Sequence, residues 1–371
     1  MPSVLISGAS VTGLTLAYWL RHRGFQPTIV ERSPGPRGGG QAIDVRGAAL
    51  QVVERMGLLE PIRAAKTDLR GMSFVDSQGK ELSRSTEATL TGGLIDNDDV
   101  EIMRDDLTTL LSDAADPECL FGDVITSLTQ HGNDVEGTFR RSPPRRFDLV
   151  LGADGLHSGV RRLVFGPEAD FVRFLGSYMT IFTVDNFLGL DRWQTFHAPE
   201  NGLVGVYSAR HNTEARAMLR FASPELDFDY HDVKQQKDIL AEHFAGVGWE
   251  TPRLLDRMWE APDFFFDSTS QVRLDRWSAG RIALVGDAAY CASPRAGQGT
   301  SMALVGAYVL AGELAKDPAD HAAAFARYQQ VMQGYVGRNQ QMARDAAAGR
   351  PVSEADRADA ACAITLEDYS A

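Results

Sequence analysis

The 371-residue chain is poor in cysteine, in histidine and in excess positive charge. Its three cysteines, Cys119, Cys291 and Cys362, are widely spaced and odd in number. That pattern excludes a disulfide framework and a structural zinc site, and it fits a reducing cytoplasm. The eight histidines show no ligand spacing, so no metal centre is expected, and no Ser/His/Asp constellation for nucleophilic catalysis stands out. Lys and Arg number 37 against 50 Asp and Glu, a net charge of −13. Such a balance argues against nucleic acid or an anionic membrane as partner and favours solubility. The apolar N-terminus from Val4 to Leu20 lacks a basic leader and is interrupted by Gly8, Ser10 and Gly13, so it reads as strand, turn and helix rather than signal peptide. No run is long enough to span a membrane, and internal repeats are absent.

What is present is a globular composition, 44% hydrophobic and 23% charged, on a chain too long for one ordinary core. Two domains are expected. The stretch that organises them is Arg281 to Ser301. Ile282 to Val285 reads as a buried strand, Gly286 lets the backbone turn, and Asp287 sits at the strand's C-terminal end, where open α/β sheets bind ligands. Pro294 stiffens the loop, Gly297 and Gly299 strip side chains from it, and a helix begins near Thr300 and Ser301 with free N–H groups able to hold an acceptor-rich ligand. A plain strand–loop–helix turn is the alternative.

Two distant stretches point to the same kind of ligand. Val4 to Ile6, then Gly8-Ala-Ser-Val-Thr-Gly13, a helix to about His22, and a strand at Thr28 to Val30 ending in Glu31-Arg32 form the opening βαβ of a dinucleotide fold. The helix N-terminus would face a pyrophosphate, and Glu31 has the spacing to grip a ribose hydroxyl. Ser10 replaces the second glycine of G-x-G-x-x-G, and a tight turn without ligand is the alternative. Leu149 to Leu151 is another strand, ending in the Asp154-Gly155 turn before a short helix at Ser158 to Arg162.

Between these pieces, Gly38 to Gly40 is either a mobile loop or a backbone closely approached by something else, and Ile43 to Arg46 leads into a helix from Gly47 to Met56. Gly71 to Glu81 reads as a hairpin, and residues 84–98 as irregular. Arg104 stands where a strand from Glu101 enters a helix, and spacing alone makes it a solvated charge. Phe121 to Leu128 and Asp134 to Phe139 read as meander strands. Segments at Tyr178–Val184, Trp193–His197, Leu203–Tyr207 and Ala215–Phe221 alternate, which predicts an antiparallel sheet. The alternation puts Arg216, Met218 and Arg220 on one face, and Gln194 and Phe196 share a face of the neighbouring segment. These are substrate-pocket candidates, with a solvated strand face as the alternative for each. A helix is expected from Asp238 to Phe244, an apolar helix from Ala303 to Ala315, and a long Ala-rich helix from His321 to Ala348.

Together the βαβ, Asp-Gly and Gly-Asp stretches resemble the group A flavoprotein monooxygenases, aromatic hydroxylases similar to p-hydroxybenzoate hydroxylase. Size and the long C-terminal helix look most like the tetracycline-modifying and polyketide-tailoring members. The resemblance implies an α/β fold in which a Rossmann-like FAD-binding domain (glutathione-reductase type) is interleaved with an antiparallel-sheet substrate domain. It places residues 1–70, 99–167 and 272–318 in the first, 71–98 and 168–271 in the second, and 319–371 in a C-terminal helical segment. It implies that Gly8, Ser10, Val11, Thr12 and Gly13 receive the FAD pyrophosphate, that Glu31 binds the adenosine ribose beside Arg32, and that Arg104 contacts the flavin, against the solvated reading. Asp154 belongs to a motif tied to FAD and NAD(P)H, Asp287 with Gly286 would hold the ribityl chain, and Pro294, Gly297, Gly299, Thr300 and Ser301 would face the flavin pyrimidine. Ser301 stands where many members carry Asn, and Arg46 matches a segment that moves with the isoalloxazine.

The implied activity is a cytoplasmic, NAD(P)H-consuming monooxygenase. O₂ would add to the flavin C4a, and the hydroperoxide would hydroxylate an electron-rich aromatic or polyketide-like substrate in antibiotic biosynthesis or resistance. No protein side chain is expected to do the oxygen chemistry. A monomer or homodimer fits. The alternatives are a flavin reductase or dehydrogenase without oxygen insertion, and a catalytically silent flavin- or ligand-binding protein.

Overall fold

The computed structural model describes residues 1–200 and 202–369. A six-stranded sheet runs, edge to edge, through Ser278–Ala279, Ile282–Leu284, Leu149–Gly152, Ser3–Ser7, Gln26–Glu31 and Glu118–Phe121. All neighbours are parallel except the first pair. The inner strands are continuous apolar runs, Val4-Leu5-Ile6 and Leu149-Val150-Leu151, because helices or loops cover both faces and leave no side for polar residues. The helix Val11–His22 packs on the helix Gly299–Lys316, whose buried residues run from Ser301 to Leu314 with only glycine, serine and Glu313 breaking the apolar sequence on every side. His321–Ala347 packs outside that helix. Gly306 is where Tyr290 crosses: a Cβ there would lie 1.9 Å from the Tyr290 hydroxyl, which accepts from Tyr328 at 3.0 Å.

The second sheet has seven strands in the order Phe265–Val272, Val172–Val184, Glu214–Ala222, Gly202–Ala209, Gln194–His197, Met72–Val75 and Glu81–Ser85. It is antiparallel except between Gln194–His197 and Met72–Val75, which run parallel. Period-2 alternation splits its residues. Phe182, Val204, Val206, Ala217, Leu219 and Phe221 form a separate apolar cluster under the helices Val233–His243 and Thr251–Glu260. The opposite face turns to the parallel sheet and its loops.

Several sequence expectations shift. Phe121 to Leu128 is not one strand. Gly122 takes φ +70°, and buried Asp123 accepts N–H groups from Val124, Arg141 and Ser142, so the chain turns there. Glu118–Phe121 joins the parallel sheet, and Ile125–Gln130 pairs with Val135–Phe139 in a small meander. The helix expected from Asp238 starts at Val233, where the Asp232 carboxylate accepts the Gln235 N–H at 3.0 Å. Residues 84–98 are less irregular than expected: the strand Glu81–Ser85 enters them, and Ala88–Thr89 pairs with Gly93–Leu94. The helices Leu59–Ala64, Thr251–Glu260 and Glu354–Ala361 were not anticipated. Among the described residues, no helix is long and apolar enough to cross a membrane.

Candidate cofactor and substrate site

Three parallel strands, Ser3–Ser7, Leu149–Gly152 and Ile282–Leu284, end side by side, and the turns that leave them converge. Gly8 has φ +104°, and a Cβ on it would meet the Ala153 carbonyl at 2.6 Å. On Gly13 a Cβ would meet the Gly8 carbonyl at 1.9 Å. Both positions require glycine for this turn to close. Ser10 is the N-cap of the helix in extended backbone, φ −111°, so serine fits there without left-handed strain. Its side chain does not cap the helix, and the first turn holds no acid. The N–H groups around Val11, Thr12 and Gly13 therefore keep their positive end free for a phosphate. Gly286, at φ +65°, packs on the same helix start; a Cβ there would lie 2.4 Å from the Thr12 hydroxyl.

The two strand-end acids differ in state. Asp154 is consumed by the fold: it accepts from the Ser7 hydroxyl at 3.2 Å, the Ser158 hydroxyl and the Val160 N–H at 3.1 Å. Asp287 is solvent-accessible, yet the surrounding protein desolvates its carboxyl. That desolvation pushes its carboxyl up to about 6, opposed by a hydrogen bond with Cys291 and reinforced by the charge of Asp267. Cys291 is buried with its thiol pushed well up, first by burial, which keeps it a neutral filler. Glu31 is buried and accepts the Ala9 N–H and the Ser33 N–H, each at 2.9 Å, tying the glycine turn to the second strand; Arg32 beside it is exposed.

In the organising loop Pro294 is exposed, Gly297 takes φ +64°, and Gly299 faces open space ahead of half-buried Thr300. The buried Ser301 hydroxyl turns away from that opening: it accepts the Arg46 N–H at 3.0 Å and reaches the Asp44 carbonyl at 3.3 Å. Arg46 is buried and paired with Asp44 at 3.1 Å. Burial pushes the Asp44 carboxyl up, Arg46 pulls it down, and Glu101 adds to the rise. Arg104 is half-buried rather than solvated, because its guanidinium folds over the glycine run and donates to the Gly39 carbonyl at 3.1 Å. That run is closely approached on every side: its N–H groups donate to Asp105 and Asp263, and a Cβ on Gly40 would lie 2.5 Å from Arg104.

The inward face of the antiparallel sheet carries the substrate candidates in register. Thr183, Arg216, Tyr207 and Gln194 form one row, and Ile181, Met218, Gly205 and Phe196 the next. The solvated-face alternative does not hold. Arg216, Gln194 and Phe196 are fully buried, and Met218 and Arg220 half-buried, because the glycine run and the loop after Ala88 cover this face. Arg216 donates to the Gly40 carbonyl at 2.9 Å and pairs with Glu214 at 2.8 Å. Gln194 accepts the Leu90 N–H at 2.9 Å, and Tyr207 accepts the Ala42 N–H at 3.3 Å. His157, which the sequence reading passed over, joins the Asp154-Gly155 turn to the antiparallel sheet. It contacts Glu168 at 2.8 Å and Asp267 at 3.2 Å and stacks on Tyr230.

A dinucleotide with an anionic bridge fits this crevice: a glycine turn that excludes Cβ atoms, an uncapped helix start without acids, a carboxylate at the second strand's end and an accessible Asp287. Comparison with known proteins agrees. The FAD binding domain family model matches residues 1–326. The chain is 53% identical to protein Rv1260 of Mycobacterium tuberculosis, over the whole of both chains. It is 44% identical to a flavin-dependent monooxygenase from an unknown prokaryotic organism, covering 91% of this chain and 87% of that one. The crystal structure of tetracycline destructase Tet(51) superposes with a TM-score of 0.92 at 34% identity, covering 100% of both chains. The chain belongs to the FAD-binding-domain family of group A flavoprotein monooxygenases.

Proposed function

We propose that the protein uses NAD(P)H and O₂ to insert one oxygen atom into an electron-rich ring of a polyketide- or tetracycline-like small molecule. The observation that carries this reading is the buried, mixed polar and aromatic sheet face of Gln194, Phe196, Tyr207 and Arg216, with half-buried Met218 beside them, roofed by the glycine run that Arg104 also contacts. Full-length likeness to tetracycline destructase Tet(51) supports the substrate class. Gly8 to Gly13 would receive the FAD pyrophosphate, Glu31 the ribose, Asp287 the ribityl hydroxyls, and the Gly297–Thr300 backbone the flavin ring. When bound, FAD supplies the electron transfer and oxygen activation that no side chain here can supply.

The chain's own residues do the rest. Apolar Phe196, Met218 and Ile181 exclude water from the ring to be oxidised. Gln194 and Tyr207 are fully buried and locked by hydrogen bonds to backbone, so they would keep the wall behind the ring rigid. Ser301 and Arg46 bind the segment after Ala42–Val45 to the helix that begins at Gly299, holding the crevice wall in place. The unpaired cysteines suit a reducing cytoplasm.

The test is a panel of phenolic and tetracycline-like compounds given to FAD-loaded protein with NADH or NADPH under air. Mass spectrometry of a product gaining one oxygen atom supports the reading. NAD(P)H oxidation that never yields an oxygenated product from any member refutes it in favour of a reductase.

A further inference from the structure

Two arginines come close together beside the candidate site, and among the described residues neither has a carboxylate partner. Arg220 lies in a row that crosses four strands as Leu203, Arg220, Met179 and Asp267. Among the described residues its guanidinium has no hydrogen bond or ion pair, and burial alone lowers its pKa. The carboxylate in its row, Asp267, lies beyond Met179 and is engaged by His157 at 3.2 Å. Arg295 comes from the opposite wall, from the turn Pro294–Ala296 ahead of the helix Gly299–Lys316. Its Nη2 donates to the Ser177 hydroxyl at 2.8 Å, while its Nε is buried with no partner. Ser177 pairs with Ala222 and Met179 with Arg220, so Ser177 and Arg220 are diagonal neighbours on one face. Burial and then the charge of Arg220 lower the pKa of Arg295, as expected of two cations at close range.

Elsewhere the fully buried arginines each have a carboxylate partner, even where an Nε is left unpaired as in Arg46 and Arg161. Arg216 has Glu214 and a carbonyl, and Arg161 has Glu168 at 3.3 Å with the carbonyls of Ala288 and Leu156. Two partly desolvated guanidiniums side by side repel and lose hydration, a cost that a bound anion reverses. Their planar forks match a planar oxyanion.

We propose that Arg220 and Arg295 form an anion subsite that takes the acidic group of the small-molecule substrate, a carboxylate or an ionised enol. This rests on the monooxygenase reading, which places a substrate over the same sheet face. Arg295 ties the flavin-side loop to the substrate sheet through Ser177, so an anion held there bridges both walls of the site.

The test uses oxidised, FAD-loaded protein without NAD(P)H, so its outcome is independent of whether oxygen insertion occurs. Two probe pairs are titrated near neutral pH by flavin absorbance change and thermal midpoint. One is 1-hydroxy-2-naphthoate against its uncharged amide. The other is 2-hydroxy-1,4-naphthoquinone, an acidic enol, against its methyl ether. At least one anion is expected to bind about tenfold or more tightly than its neutral partner, the worth of one charge-assisted hydrogen bond. The pair that shows the preference identifies the acid class. Arg220→Gln and Arg295→Gln should each erase most of it, and Arg220→Lys should keep part. A wild-type arm covers variants that do not fold: thiocyanate should weaken binding of the preferred anion and leave its neutral partner unchanged. Absence of any anion preference in the wild type, or an undiminished preference in the variants, overturns the proposal. So does thiocyanate acting equally on both partners.

Discussion

His157→Gln tests whether a charged imidazole pins the Asp154-Gly155 turn to the antiparallel sheet. The ring contacts Glu168 through Nδ1 at 2.8 Å and Asp267 through Nε2 at 3.2 Å, and it is 23% exposed. Burial pushes its pKa down, but hydrogen bonds with Asp267 and Glu168 and their charges outweigh burial and hold it at about 9. In the unfolded chain the imidazole titrates near its ordinary value, about 6.5. Between these values the folded state binds more protons than the unfolded state, so stability falls as pH rises. The pin is whole below about 6.5 and lost as pH passes about 9. That interval, at about 1.4 kcal/mol per pH unit, sets a ceiling of about 3 kcal/mol, which partial solvent screening reduces to about 1–2 kcal/mol. Glutamine keeps one hydrogen bond but no charge, and it leaves Glu168 to Arg161 and Asp267 without a cation. Unfolding free energies of wild type and variant from urea titrations at a series of pH values should differ by that amount near pH 6 and converge above about 9. A difference that stays constant with pH, or grows toward alkaline pH, refutes the argument.

Three further outcomes are expected. Gly13→Ala brings a Cβ to 1.9 Å from the Gly8 carbonyl, a backbone contact that cannot yield cheaply. FAD affinity of the variant, read by fluorescence, should fall about 5- to 150-fold, because a forced turn of this kind costs about 1–3 kcal/mol and misplaces the phosphate donors. Asp287, with its carboxyl pushed up to about 6, should accept from hydroxyl donors more strongly above that pH. FAD affinity measured by fluorescence should therefore weaken as pH falls from 7 to 5, and Asp287→Asn should flatten the profile. Gly306→Ala sets a Cβ 1.9 Å from the Tyr290 hydroxyl and should lower the thermal midpoint by several degrees, with oxidised-flavin binding largely retained.

The turns that build the crevice and the likeness to one family were legible in the sequence because they are written in local order. Strand, glycine turn and helix lie within a few residues in each of the three stretches. Their constraints are short-range: a positive φ at Gly8 and Gly286, and an uncapped helix start after Ser10. The helices at Gly299 and His321 were readable because 18 and 27 residues rich in apolar side chains and alanine leave few alternatives. The helix Thr251–Glu260 also left a signal, a proline in its first turn with Leu254 and Met258 one turn apart, and Ser353 with Asp356 marked a capping box before Glu354–Ala361.

What only tertiary structure decided is where distant side chains go. Glu118–Phe121 became an edge of the parallel sheet because Gln26–Glu31 needed a neighbour, a pairing that no local pattern announces. Ser301 faces Arg46 across 255 residues, and Arg104 meets Gly39 across 65. Spacing could not say whether such polar groups meet water or backbone. Period-2 alternation put Arg216, Met218 and Arg220 on one face, but it carries no information about what covers that face. Burial of that face is set by the glycine run and the loop after Ala88. It turns one arginine into a paired strut and, among the described residues, leaves Arg220 beside Arg295 with no countercharge, because desolvation acts on charges through space and not along the chain.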